Sequence, residues 1–151
     1  MTVRVDFAFG ASNRFKQASS TCLKRAALGG TVLVYWASLE HFKKFEDAFW
    51  STQEGTHFMP LYELTANTAQ QPPSSVLTCS AQNLPLANLL QTEKLWLLNI
   101  ENTCPEHINP IERILEIVSE DPTDIEQARI RWVKYKSQGF TVQAHSLKPT
   151  P

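Results

Sequence analysis

No stretch of this 151-residue chain is apolar for long enough to cross a bilayer, which takes roughly 18–20 consecutive apolar residues. The first seven residues, Met1 to Phe7, lack the charged start, apolar run and small-residue cleavage site of a secretory leader. Cysteine is scarce and scattered: Cys22, Cys79 and Cys104 form no Cys-x-x-Cys pair. That argues against a disulfide framework or a zinc ribbon and for reduced thiols in a cytoplasm. Glycine is equally sparse. The turn Phe9-Gly-Ala-Ser-Asn-Arg14 carries one glycine, so the Gly-x-Gly-x-x-Gly loop that lets backbone approach a pyrophosphate is missing. The phosphate-loop pattern ending in Gly-Lys-Ser/Thr is absent, as is the Gly-x-Ser-x-Gly elbow of α/β hydrolases. His41, His57, His107 and His145 have no ligand spacing. No metal or other cofactor is expected. Surplus charge is missing too. A formal net charge of -1 leaves no broad nucleic-acid footprint, only room for a local basic patch.

What is present is ordinary globular composition, 42% hydrophobic and 19% charged, in a length that suits one domain. Val3 to Phe9 reads as a strand. Phe15 to Leu28 has helical apolar spacing and ends at Gly29-Gly30. Thr31 to Trp36 is a short continuous apolar run, the signature of a strand buried on both faces. A second helix is expected from Leu39 to Trp50, then an extended stretch over Phe58 to Tyr62 and a polar loop from Thr65 to Ser75. Ser75 to Thr78 and Leu95 to Ile100 read as strands. The spacing of Ile111, Ile114, Leu115 and Val118 predicts a helix over 111–118, with Glu112 and Glu116 as a solvated pair off its apolar stripe. Phe140 to Leu147 alternates as a last strand, and Pro149 to Pro151 is expected as a loose tail. This alternation of strands and helices predicts an α/β domain with a mostly parallel sheet, a single unit over 1–148 with 149–151 as its tail.

The best-marked element runs from Asp121 to Gly139. Asp121 suits the N-cap, Pro122 the first helical position and Asp124 the first turn, while Gly139 suits a left-handed stop. Ile125, Arg129, Trp132 and Lys136 fall at steps of four, three and four, so they share one face. A large aromatic beside two cations makes a poor core stripe and a suitable dock for an acidic, partly apolar peptide. Trp132 fits either the core against the sheet or a ledge at its rim. Phe49 reads as core, Trp50 lies at the polar boundary Ser51-Thr52, and Phe58 follows in the next loop. Cys104, before Pro105, is expected in a loop where it could be exposed.

In order, these residues resemble the chi subunit family of bacterial DNA polymerase III holoenzyme. The likeness lies in Arg4-Val-Asp-Phe-Ala-Phe9, Phe45-Glu-Asp-Ala-Phe-Trp50 and Phe58-Met-Pro60. It continues through Leu97-Leu-Asn-Ile100, Glu112-Arg-Ile-Leu-Glu-Ile-Val118 and Ala128 to Phe140. The resemblance implies a Rossmann-like three-layer α/β domain without a nucleotide-binding glycine loop and without catalytic activity. It implies an adaptor that holds the acidic C-terminal tail of single-stranded-DNA-binding protein, with its apolar Asp-Ile-Pro-Phe end. The adaptor would join that protein to the clamp loader through a psi subunit where one is present, with no direct nucleic-acid or membrane contact, in the bacterial cytoplasm. Matching positions carry the tail site onto Trp50 at the end of the second helix, onto Phe58, and onto Val118 at the end of the penultimate helix. On the last helix it falls on Arg129 and Trp132.

This sequence also departs from the family pattern. Ile125 stands one turn before Arg129 where a lysine is common, Val133 replaces another basic position, and Leu61 replaces the histidine of Phe-x-Pro-His. Lys134, Lys136 or Arg131 could restore charge from other angles. The expected site is therefore Trp50, Phe58, Val118, Ile125, Arg129 and Trp132, with a more apolar grip. The alternative is a nucleotide- or small-molecule-binding enzyme using polar groups of Gly10 to Asn13. Direct single-strand binding through Trp50 and Trp132 is disfavoured by the near-neutral charge.

Overall fold

A computed structural model describes residues 3–53, 59–65, 75–90, 95–106 and 111–147. Phe58, positions 66–74 of the expected polar loop and the tail 149–151 lie outside the described residues. The elements are β1 (Arg4–Ala11), α1 (Arg14–Ala27), β2 (Thr31–Trp36), α2 (Leu39–Thr52) and β3 (Leu61–Glu63). They continue with β4 (Ser75–Ser80), β5 (Leu95–Asn99), β6 (Arg113–Ser119), α3 (Pro122–Ser137) and β7 (Thr141–Ser146). A 3-10 helix over Leu84–Leu89 joins β4 to β5.

The seven strands form one sheet in the order β3-β4-β2-β5-β6-β1-β7, every pairing parallel. From β1 the chain steps by way of α1 and α2 toward one edge, then returns through the 3-10 helix and α3 to the other. Crossovers of one hand that travel in opposite directions must lie on opposite faces, and they do. Ala18, Cys22, Phe45 and Phe49 of α1 and α2 join one apolar cluster, with Val32, Val34 and Leu98 of the sheet. Ala128 and Tyr135 of α3, with Leu84 and Ala87 of the 3-10 helix, join a second cluster with Phe7, Leu33 and Leu97. The result is the expected three-layer α/β fold.

Residues 113–119 correct the expectation of a helix: they form β6, between β5 and β1 in the middle of the sheet. Ile114, Leu115, Ile117 and Val118 are spaced so that helix and doubly buried strand look alike. Both faces of β6 are covered, so a continuous apolar run rich in β-branched residues suits it. The solvated pair expected at Glu112 and Glu116 is also corrected, because Glu116 is fully buried on β6 while Glu112 precedes the strand and is exposed.

All three cysteines are buried. For Cys104 this corrects the expectation of exposure; its thiol lies under α3, 3.8 Å from the carbonyl of Arg131. Burial pushes all three thiols up, Cys79 to about 12. A raised value keeps the thiol protonated and unreactive near neutrality. A chromogenic disulfide reagent at pH 8 should therefore label the native protein slowly and label all three thiols at once after denaturation. Rapid native labelling of even one would contradict this packing.

Candidate functional site

Helix α3 organises the site, and its ends are fixed as its sequence suggests. The Asp121 carboxylate accepts from Thr123 N–H at 2.8 Å. Gly139 adopts φ 85°; its N–H donates to Lys136 O, and Phe140 N–H donates to Tyr135 O. That pair of bonds closes a helix in the Schellman manner and needs a residue tolerant of positive φ. Ala128, Arg131 and Tyr135 form the buried face. Ile125 and Trp132 lie on its flank, half-buried against the same cluster. Arg129 and Lys136 are exposed.

The rotation of α3 about its axis is set by a buried polar cluster. Arg131 Nε donates to Glu116 at 3.1 Å, Tyr135 Oη at 2.6 Å and Asn99 Nδ2 at 2.9 Å. Arg14 adds a fourth group, 3.8 Å from the same carboxylate. Burial pushes the Tyr135 phenol far above its ordinary value, and Glu116 reinforces the shift, so it acts as a hydrogen donor. Arg131, 1% exposed, holds the structure together and cannot replace missing surface charge.

Beside α3 lies a hollow of about 690 Å³. Its floor is Phe7 and Phe9 of β1 with Val118 of β6; one wall is Ile125, Ala128 and Trp132; Ala144 and Ser146 of β7 line the outer side. The two small side chains on β7 leave the space open. Gly10, at φ 93°, interrupts the β1–β6 register between Phe9 and Ala11, a bulge that bends the strand end at the rim. Phe9, beside it, is 44% exposed. Trp132 settles between core and ledge by doing both: its ring packs on Phe7 at 5.2 Å between centroids and also lines the hollow. Lys136 Nζ lies 5.5 Å from the same ring. Glu120 and Arg129 bring the charge to this lining, and Arg129 is ion-paired to no other described residue.

Four of the expected site residues, Val118, Ile125, Arg129 and Trp132, meet in this hollow. Trp50 does not line it. It lies on α2, whose buried face packs against the opposite side of the sheet; it is 42% exposed and meets Phe49 edge-on at 5.2 Å. Phe7, Phe9, Ala144 and Ser146 were not anticipated. The parallel pairing of Phe7 with Ala144 and Phe9 with Ser146 brings them together, and alternation within each strand put them within reach of sequence reasoning.

The fold offers a second cleft of about 830 Å³ where β1 and β6 send their connections to opposite faces, lined by Asn13, Arg14, Lys16, His41, Asp121 and Asp124 among others. Ligands of open α/β sheets bind at such a switch point. Here the helix-start amides are already engaged. Asn13 accepts from Phe15 and Lys16 N–H, and Asp124 from Ser119 N–H. Glu101 accepts from Ala37 and Ser38 N–H while meeting His41. Arg14, 8% exposed, reaches the carbonyls of Asn99 and Glu101. Among the described residues no group of three His, Cys, Asp or Glu side chains is placed to hold a metal ion, and no helix is long and apolar enough to cross a membrane.

Fold and site together define a Rossmann-like α/β domain whose helix starts are self-capped and whose open hollow is apolar with an arginine at its edge. Residues 1–143 match the family model of the DNA polymerase III chi subunit, HolC, and the chain belongs to that family. It is thus related to an accessory subunit of the replicative polymerase. A comparison with individual curated proteins returns no match.

Two neighbouring arginines of α3 should separate cleanly. Arg131→Ala removes the nearer of the two guanidinium groups beside the buried Glu116 carboxylate and should cost about 3–5 kcal/mol in urea denaturation. Arg129→Ala should stay within about 0.5 kcal/mol. Equal losses in the two variants would contradict the assigned roles.

Proposed function

We propose that this chain is a non-catalytic replication adaptor whose hollow holds the acidic C-terminal tail of single-stranded-DNA-binding protein. Through a psi-type subunit, where the organism has one, it would tie that protein to the clamp loader. One observation carries the reading: an apolar hollow with an exposed guanidinium beside it, in a member of the chi family. A terminal aromatic ring would enter between Trp132, Phe9 and Val118, and the terminal carboxylate would meet Arg129.

The energetics favour the ring over the charge. Burying an aromatic side chain contributes about 1.5–3 kcal/mol, whereas an exposed ion pair contributes about 0.2–1 kcal/mol. Ile125 in place of a lysine extends the apolar wall at the expense of charge, which makes the affinity less sensitive to salt. Trp50 and Phe58 carry no part of this reading of the hollow, since Trp50 lies elsewhere on the domain and Phe58 lies outside the described residues.

Calorimetry with a synthetic tail peptide tests the proposal. Trp132→Ala should weaken binding about tenfold or more, Arg129→Ala up to about fivefold, and deletion of the terminal phenylalanine should abolish measurable heat. Trp50→Ala should leave the affinity unchanged. Far-ultraviolet circular dichroism should be unaltered in each variant. Retained affinity in both Trp132→Ala and Arg129→Ala would remove the site.

A further inference from the structure

The edge strand β7 has two working sides. Ala144 and Ser146 line the hollow on the α3 side. His145 and Leu147 line a different groove, of about 600 Å³, on the α1 side. That groove exists because α1 packs over β2, β4 and β6 and leaves the outer strands open, so Thr141, Gln143 and His145 are all exposed.

Its charge is lopsided. Asp6 lies at its centre, 6% exposed, and three basic side chains converge on it: Arg4 at 2.9 Å, Arg113 at 3.3 Å and His145 at 3.1 Å. Lys24 of α1 lines the far wall. One carboxylate thus faces two guanidinium groups, with the Lys24 ammonium across the groove. The other acid of the lining, Glu116, turns its carboxylate to Arg131 and Tyr135 on the opposite face of the sheet. In a chain with a net charge of -1, this is a segregated positive strip, able to attract an anionic partner.

We propose that this groove receives an acidic peptide stretch, and that it is the continuation of the chain whose end occupies the hollow, wrapped around the end of β7. The inference rests on the reading of the hollow as a peptide site. A peptide is favoured over single-stranded nucleic acid because the neighbouring aromatic is already covered. Guanidinium groups of Arg25 and Arg113 lie 3.8 and 4.5 Å from the ring centre of Trp96, and bases need a bare ring to stack on. Each extended residue adds about 3.3 Å of reach, so a peptide that engages both sides of the strand must be longer than one that fills the hollow alone.

Two peptides sharing the same aromatic terminus separate the sites by calorimetry: one of about six residues, confined to the hollow, and one of about fifteen with an acidic, aromatic-free extension. The long peptide should bind wild type more tightly than the short one. Lys24→Glu should weaken the long peptide about fivefold and leave the short one unchanged. His145→Ala, on an exposed edge position, should act in the same direction without altering circular dichroism. Arg129→Ala should weaken both peptides. If Lys24→Glu and His145→Ala leave the long peptide unaffected while Arg129→Ala weakens both, the groove proposal is overturned and the hollow stands. If neither peptide binds wild type, both readings fall. Binding of an oligothymidylate that Lys24→Glu abolishes, with the long peptide indifferent to that change, would also overturn it in favour of nucleic acid.

Discussion

One buried carboxylate, Glu116 on β6, receives hydrogen bonds from β5 through Asn99 and from α3 through Arg131 and Tyr135, and lies beside Arg14 of α1. A charge at the centre of a doubly covered sheet is costly unless it is paired and its remaining lone pairs are filled. Satisfying it imposes geometry. Arg131 and Tyr135 point inward together only for one rotation of α3, and with four residues per turn or nearly so, that rotation sends Ile125, Arg129 and Trp132 toward β1 and β7. The hollow is therefore a consequence of how the interior charge is neutralised. An apolar residue in place of Glu116 would pack, yet it would leave α3 held only by apolar contacts, which are not directional.

The same economy explains why a Rossmann-like sheet need not read as a nucleotide site. In such folds, free amides at a helix start face the switch-point crevice and accept a phosphate. Here Asn13, Glu101, Asp121 and Asp124 supply the acceptors from within the chain. Arg14, the buried cation of the crevice, is spent on interior partners, which leaves only the exposed Lys16 and Lys44 on its lining. A phosphate arriving there would have to displace acceptors that are already well placed. The open apolar space lies instead on the outer side of α3, where Ala144 and Ser146 leave room that larger side chains would fill.

Much of this was legible in the sequence, for physical reasons that differ by element. The ends of α3 could be read because caps are local chemistry: Asp121 and Gly139 act on amides and carbonyls within a turn of themselves. The strand β2 could be read because the unbroken apolar run from Val32 to Trp36, soon after Gly29-Gly30, fits little else. Strand β6 could not, since Ile111, Ile114, Leu115 and Val118 fit a helical period while also suiting a strand buried on both faces, and Glu116 disguised a buried strand as an amphipathic helix. Its partners Arg131 and Tyr135 lie 15 and 19 residues away, a distance over which no local pattern speaks. The grouping of Ile125, Arg129 and Trp132 followed from helical geometry alone. Their meeting with Val118, and the absence of Trp50 from the same hollow, depended on which face of the sheet each helix covers, and that is fixed by the direction of the crossovers rather than by the residues themselves.

Parallel pairing at the β7 edge gives the domain its polarity. Along β1 and β7 every second residue faces α3 and the rest face the side that α1 leaves uncovered. The first set is Val5, Phe7 and Phe9 with Val142, Ala144 and Ser146; the second is Arg4, Asp6 and Ala8 with Thr141, Gln143 and His145. A slip of one residue in the β1–β7 register would turn every β7 side chain to the other face, setting His145 in place of Ser146 beside Phe9 and carrying the histidine into the apolar side and the small residues into the basic one. The strand thus keeps greasy and charged surfaces on opposite sides of a single backbone thickness. An extended ligand with an apolar end and a charged body can engage both only by turning around that edge, which makes the ligand's own amphipathic order, and not charge alone, the feature such a surface can discriminate.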